Sequence, residues 1–276
     1  MIEISSSTWL FVPGDRPDRF SKAAESGADE VIIDLEDAVA DNHKALARAD
    51  AAKWLTNRGQ AWVRINAVST PWADADIETI ATCPRLRGVL VPKAERAANL
   101  SMIGERLGSD RGVVALVETA LGIHNAHELA ACPAVGRLAF GSVDFAHDID
   151  ATEDDRSLLL ARSTLVLASK VADLPSPIDG VSVRIRDSEA VAEAARQARA
   201  LGFGGKLCIH PAQIAATAAE FRPSGEDIAW AQRIVASFTG QAGAVHTDGE
   251  MVDKPVFERA RRILARSSIA HPRTVD

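Results

Sequence analysis

Two acids in this sequence stand where a metal ion could use them. Residues Val113 to Thr119 read Val-Val-Ala-Leu-Val-Glu-Thr, an apolar run with a carboxylate, Glu118, at its end. Residues Leu138 to Asp144 read Leu-Ala-Phe-Gly-Ser-Val-Asp and deliver Asp144 in the same way one unit later. One acid at the end of a buried strand is as readily a structural group bonded to backbone amides. Two at the same end of neighbouring parallel strands can hold one hard divalent cation. Magnesium suits such a pair, because it takes a few carboxylates and leaves its other positions to water or substrate oxygens.

Other reactive side chains also follow apolar runs. Arg64 lies between Val63 and Ile65 and must find an anion there. A substrate carboxylate fits its planar fork; Asp34 or Glu36 would serve equally as a salt-bridge partner. Asp34, Glu36 and Asp37 form an acidic cluster. Asp37 suits a turn cap, Asp34 or Glu36 suits orienting the arginine, and Glu36 suits holding a metal-bound water. Lys93 follows Pro92 at the end of another run. It could form a Schiff base with a keto substrate or attract a phosphate, although the paired acids already offer a metal route to the same carbanion chemistry. Near the end of the chain, a glycine-rich stretch from Gly240 to Gly249 leads through Met251-Val252 to Asp253 and then Lys254-Pro255. A pivot, an apolar contact and a carboxylate make the layout of a lid. An aspartate directly before a helix is also a common cap.

The elements that must carry these residues are eight apolar runs, each followed by a segment of helical period. The runs are Trp9 to Val12, Val31 to Asp34, Ala61 to Ile65, Gly88 to Val91, Val113 to Val117, Leu138 to Phe140, Ile178 to Val183 and Lys206 to Ile209. Most lack polar alternation, as expected of strands buried on both faces. Strands alternating with helices imply a parallel sheet, and eight units are the number that closes a barrel. An open doubly wound sheet is the alternative, but no Gly-x-Gly-x-x-Gly follows the first run. The expected fold is therefore α/β, a (β/α)8 TIM barrel over residues 1–222, with a C-terminal helical extension or lid over 223–276. In such a barrel the residues ending the strands line the active site.

Composition narrows the function. The chain has 276 residues, 47% hydrophobic and 25% charged, an ordinary soluble globular balance. No apolar run approaches the roughly 18–20 residues of a membrane helix. Three scattered cysteines give neither a disulfide framework nor a zinc spacing, which points to a reducing cytoplasm. The lack of a membrane-length run argues against a membrane, and a net charge of −7 argues mildly against nucleic acid as the main partner. It leaves room for an anionic small substrate held by a local arginine.

An ordered set of short motifs adds to this reading. They are Leu-Phe-Val-Pro-Gly at 10–14, Ile-Asp-Leu-Glu-Asp at 33–37, Val-Arg-Ile-Asn at 63–66 and Val-Pro-Lys at 91–93. Val-Glu-Thr at 117–119, Phe-Gly-Ser-Val-Asp-Phe at 140–145, Ile-His-Pro at 209–211 and Met-Val-Asp-Lys-Pro at 251–255 continue the order. Together they make the chain resemble the beta subunit of citrate lyase and the malyl-CoA and citramalyl-CoA lyases of the HpcH/HpaI aldolase family. The resemblance implies a magnesium-dependent enzyme that makes or breaks a carbon–carbon bond beside a thioester, with hydrolysis of a similar thioester or an accessory-subunit role as alternatives. It implies that Glu118 and Asp144 hold magnesium and that Arg64 grips the substrate carboxylate, with Glu36 and Asp37 beside it. It places the loop at Pro13 and Gly14 and its helix, with Arg19 and Lys22, near coenzyme A; Lys93 is expected among the substrate-binding residues from its place at a strand end. The resemblance makes Asp253 an acid–base group on a lid, often reaching across a subunit boundary in a homotrimer. Two positions depart from the pattern: Ser7 stands where many relatives carry an arginine, and Arg184 where they often have an aspartate.

Overall fold

The computed structural model describes residues 6–237, 245–247 and 250–269. Its eight parallel strands close into a barrel in chain order, β1 to β8. They are β1 (Thr8–Pro13), β2 (Glu30–Asp34), β3 (Ala61–Arg64), β4 (Leu86–Val91), β5 (Gly112–Val117), β6 (Val135–Phe140), β7 (Ile178–Asp179) and β8 (Gly205–Cys208). β1 pairs with β8 through Trp9 and Leu207, which completes the closure. Between the strands lie α1 (Phe20–Ala24), α2 (Lys44–Asn57), α3 (Ala73–Ile80), α4 (Ala97–Leu107), α5 (Ala120–His124), α6 (Ala126–Ala131), α7 (Ser142–Asp148), α8 (Asp155–Val171) and α9 (Ser188–Leu201).

Side chains alternating along the strands fill the barrel. Trp9, Ile32, Trp62, Leu90, Val114, Leu116, Ala139, Ile178 and Leu207 form one buried cluster. Trp9 and Trp62 meet with ring centroids 5.1 Å apart. Gly88 makes room for this packing, since a Cβ there would strike both the Trp62 ring and the Gly112 carbonyl. Burying each large apolar side chain contributes about 1.5–3 kcal/mol, so this plug is a rigid floor under whatever sits at the strand ends.

Three expectations shift. The seventh strand ends at Asp179 and not at Val183, because the chain leaves the sheet at Gly180, where a Cβ would collide with the side chain and amide of Ser142. The segment after β5 is two short helices, since Thr119 caps α5 and Asn125 interrupts it before α6. The segment after β1 begins as a 3-10 turn at Pro17–Arg19 before α1.

The chain divides into two compact units, Met1–Ala218 and Ala219–Asp276. The division falls inside α10 (Ile214–Phe221), whereas the sequence places it after Arg222. In the second unit, α11 (Gly225–Ser237) and α12 (Lys254–Ile269) pack through Ala231, Ile234 and Ala260. Ser224 and Asp227 cap α11 reciprocally, at 3.0 and 3.1 Å. The strands β9 (Val245–Thr247) and β10 (Glu250–Val252) form an antiparallel pair. Much of the expected glycine pivot, residues 240–244 and 248–249, lies outside the described residues; the part between them is β9. No helix among the described residues is long and apolar enough to cross a membrane.

Candidate active site

Glu118 follows β5 directly and is 1% exposed. Its Oε1 accepts the Lys93 backbone N–H at 2.8 Å. Its Oε2 is buried with no hydrogen-bond partner. Burial first, and then the neighbouring Glu36 and Asp144 carboxylates against the opposing pull of Arg64, push its pKa up to about 8. A buried acid without a counter-group is costly, so this corner of the protein is short of positive charge.

Asp144 is not at the end of a strand, as its apolar run suggests. β6 stops at Phe140, and Asp144 lies in the first turn of α7. The helix starts early because the Gly141 amide bonds back to the Val117 carbonyl at 3.0 Å, while the Gly141 carbonyl accepts from Phe145 at 3.0 Å. Asp144 is half-buried and makes no hydrogen bond or ion pair among the described residues. Glu118 and Asp144 line one cavity of about 370 Å³.

Arg64 ends β3 and is 9% exposed. Asp34, at the end of β2, takes its fork: Nε donates to Oδ1 at 2.7 Å and Nη2 to Oδ2 at 2.6 Å. The register that sets Asp34 beside Arg64 in the sheet makes this pair. Burial alone would raise the Asp34 pKa, but Arg64 and the amides of Glu36 and Ala38 outweigh it and hold the acid below the usual range. The Nη1 edge of Arg64 faces Glu36 at 3.1 Å and Asp37 at 3.4 Å. The first is an ion pair without hydrogen-bond alignment, since Glu36 Oε2 has no hydrogen-bond partner. The structure thus realises the salt bridge to Asp34 through one guanidinium edge and sets Glu36 and Asp37 against Nη1 on the other.

Lys93 donates from Nζ to Glu36 Oε1 at 2.7 Å. Burial raises the pKa of Glu36 in spite of Arg64 and Lys93. Burial would lower the Lys93 pKa, but the hydrogen bond to Glu36 and the charge of that carboxylate outweigh it and raise it, and the amine is engaged by Glu36. Lys44 fixes the other side of this loop by donating to the carbonyls of Leu35 and Glu36 at 2.9 and 2.7 Å.

Pro13, Asp37, Arg64, Glu118 and Asp144 line the cavity. Gly14 stands behind it: its amide donates to the Asp34 carbonyl at 2.8 Å, and a Cβ there would come within 2.7 Å of the same oxygen. Arg19 and Lys22 are exposed and do not line the cavity. Arg184 is exposed and pairs with Asp187 at 3.6 Å. Ser7 precedes β1, at the strand-start end of the barrel, and donates to Asp29 from its amide and hydroxyl at 2.9 and 2.8 Å. Asp253 is in the second unit, where its Oδ1 accepts the Val256 amide at 3.0 Å as an N-cap of α12.

Phe11 and Gly141 are the residues the sequence reading passed over. Phe11 lines the cavity and lies 4.8 Å from the Arg64 guanidinium. It shares a strand face with Trp9, and that period-two relation was readable. Gly141 leaves space for Glu118, whose carboxylate and Cβ a side chain at 141 would strike; nothing local in the sequence signals that.

The model of the HpcH/HpaI aldolase/citrate lyase family matches residues 7–211. The chain belongs to this family. The family match spans the whole barrel and every site residue described above except Asp253. Among solved structures, the chain is similar to protein CitE from Mycobacterium tuberculosis in complex with magnesium, acetoacetate and coenzyme A. The two are 36% identical with a TM-score of 0.85, covering 97% of this chain and 100% of the other. A (3S)-malyl-CoA thioesterase of Cereibacter sphaeroides is 35% identical over 268 residues, 94% of this chain and 93% of its own length. The mitochondrial citramalyl-CoA lyase of Rattus norvegicus is 33% identical over 284 residues, 92% of this chain and 84% of its own length.

The residues present fit a hard cation. Two carboxylates without histidine or cysteine are the donor type magnesium takes, with water or substrate filling the remaining positions. The partnerless Glu118 Oε2 is an observation of this structure that a cation would satisfy.

Proposed function

We propose that this family member is a magnesium-dependent carbon–carbon lyase that cleaves or forms a 3-hydroxyacyl-CoA of the malyl-CoA or citramalyl-CoA type. The observation that carries the reading is the buried Glu118, with one oxygen unpartnered, beside Asp144 in the cavity at the strand ends. Glu118 and Asp144 would hold magnesium, which when bound supplies a Lewis acid that draws charge from the substrate's hydroxyl and carboxylate oxygens. In the cleavage direction the substrate hydroxyl gives its proton to a solvent water and the bond between C2 and C3 breaks. Its electrons pass to C2 as a thioester enolate, and C3 leaves as the carbonyl of a 2-oxo acid.

The Nη1 edge of Arg64 orients the substrate carboxylate in exchange for its contacts to Glu36 and Asp37, while Asp34 holds the guanidinium from behind. Glu36 and Asp37 border that edge and help to order the reacting oxygen and its water. Asp253, supplied by a lid, gives the enolate carbon its proton and takes one in the reverse direction. Pro13, Gly14, Arg19, Lys22 and Lys93 would serve the thioester and its coenzyme A, Arg19 and Lys22 from outside the cavity. The lid acts across the subunit boundary of a homotrimer in the cytoplasm.

The similarity to a malyl-CoA thioesterase supports a second reading, in which the same site presents water to the thioester carbonyl. A panel of coenzyme A thioesters assayed with and without magnesium separates the two. Release of a 2-oxo acid with retention of the thioester bond marks the lyase. Free coenzyme A thiol without a 2-oxo acid marks the hydrolase. Equal turnover after complete chelation of magnesium would refute both.

A further inference from the structure

Family membership and the proposed chemistry leave the backbone at Lys93 unexplained. Lys93 has φ of 47°, in the left-handed region that residues with a side chain seldom enter. Among the described residues Asp150 and Asp173 share this trait, but both are exposed aspartates, a type that tolerates it. Lys93 follows Pro92 at the exit from β4, where the left-handed turn directs two successive amides at β5 and its end. Lys93 N–H donates to Glu118 Oε1 at 2.8 Å, and Ala94 N–H donates to the Leu116 carbonyl at 3.0 Å. Across the carboxylate, Gly141 closes the space: an added Cβ would strike Glu118 Oε2 and lie 2.5 Å from Glu118 Cβ. Gly141 has φ of −96°, so its need for glycine is spatial and not conformational.

We infer that the left-handed Lys93 backbone and Gly141 form a two-sided mould that positions Glu118, spending Oε1 on the Lys93 amide and presenting Oε2 alone to a metal ion. The inference rests on the magnesium reading above and deepens it. With Oε1 committed to the Lys93 amide, Glu118 would offer a cation one oxygen and leave more positions for substrate and water than a two-oxygen grip. The role assigned to Lys93 here is that of a positioning residue, acting through its amide. Its side chain, on Glu36, is a separate matter.

Three variants of the full-length chain isolate the backbone: Lys93→Gly, Lys93→Ala and Lys93→Val. All lose the same charge, so differences among them report the conformation at 93. Magnesium chloride alone is titrated calorimetrically into each, and melting temperatures are recorded alongside. Glycine enters the left-handed region freely and a β-branched residue resists it. Lys93→Val should therefore bind magnesium about tenfold or more weakly than Lys93→Gly, with Lys93→Ala between them. Gly141→Ala should lose a similar factor. Lys93→Val should also melt below Lys93→Gly, because a β-branched residue is strained at this φ; the loss of magnesium affinity in the folded variants is the readout that a merely structural role would leave unchanged.

Wild type and Glu118→Gln are measured in the same series. If wild type binds magnesium and Glu118→Gln does not, but the three Lys93 variants agree within twofold, the mould is overturned and the metal reading stands. A loss at Lys93 without a loss at Gly141, or the reverse, overturns the two-sided form. If Lys93→Val fails to fold, the glycine and alanine variants with Gly141→Ala decide on the same terms. If wild type binds no magnesium, or Glu118→Gln binds it equally well, the metal reading fails and this inference fails with it.

Discussion

Glu30 and Glu118 are buried glutamates at opposite ends of the barrel, and they differ in what surrounds them. Glu30 begins β2, at the strand-start end. Its Oε1 accepts from Ser6 Oγ at 2.8 Å and pairs with Arg87 at 2.8 Å, while its Oε2 accepts from Trp62 Nε1 at 2.9 Å. Glu118, beyond the end of β5, has one amide on one oxygen and two acids nearby. Burial raises the pKa of both. The floor acid is nonetheless complete, with both oxygens used and a guanidinium in place. The mouth acid is incomplete, and what it lacks is positive charge. Burial and residue type alone therefore do not separate a structural acid from a site; the inventory of partners does.

The sharpest way to break this comparison is to exchange each carboxylate for its amide. Glu118→Gln should lower lyase turnover by about 10³-fold or more, since it removes a group that acts on developing charge. Its melting temperature should hold or rise, because a neutral amide is easier to bury there. Steady-state kinetics with saturating magnesium, beside a thermal melt, checks both halves; a variant that loses stability but keeps turnover would place Glu118 with Glu30.

Asp253→Asn extends the test to an acid that already has a structural duty. Asparagine caps a helix about as well as aspartate, so stability should not change. Turnover should fall by about 10²-fold or more if the carboxylate moves a proton. Activity equal to wild type would leave Asp253 as the cap of α12 alone.

Glu30→Gln should show the opposite pattern to Glu118→Gln. It strands Arg87 and weakens the bond to Trp62, which costs about 1–3 kcal/mol of stability, while turnover at low temperature stays within about twofold. Denaturant melts with parallel rate measurements decide it, and a turnover loss larger than the stability loss would couple the floor to the chemistry.

The smallest effect concerns Asp29, which fastens the floor to the start of β1. Burial would raise its pKa, but the amides and hydroxyls of Ser7 and Thr8 outweigh it and hold it below the usual value. A depressed acid stabilises the fold above its unfolded pKa of about 3.9, and that contribution disappears as pH falls through the lower folded value. Asp29→Asn should therefore melt below wild type at pH 6, and the gap should narrow as pH drops toward 2.5. A gap independent of pH would mean that the hydroxyls and amides bond equally well to the neutral side chain.

Much of this molecule was legible in its amino-acid order. Eight apolar runs separated by helical periods specify a closed parallel barrel, because strands buried on both faces have no polar alternation and each must be followed by a helix that covers it. Glu118, Arg64, Asp34 and Lys93 were readable as mouth residues because each directly follows or ends such a run. Asp144 was readable as a neighbour of Glu118 but not as a helical residue, since the apolar run through Gly141 hides the point at which the chain leaves the sheet. The sequence could not choose between Asp34 and a substrate as the partner of Arg64. That choice depends on the register of β2 against β3, which sets the two side chains side by side. Nor could it show that the amide of Lys93 and the bare Cα of Gly141 close on one carboxylate from two sides. Local sequence determines which residues reach the mouth, because strand period and strand ends are local properties. Tertiary structure decides which of them are left without partners, because partners come from other strands.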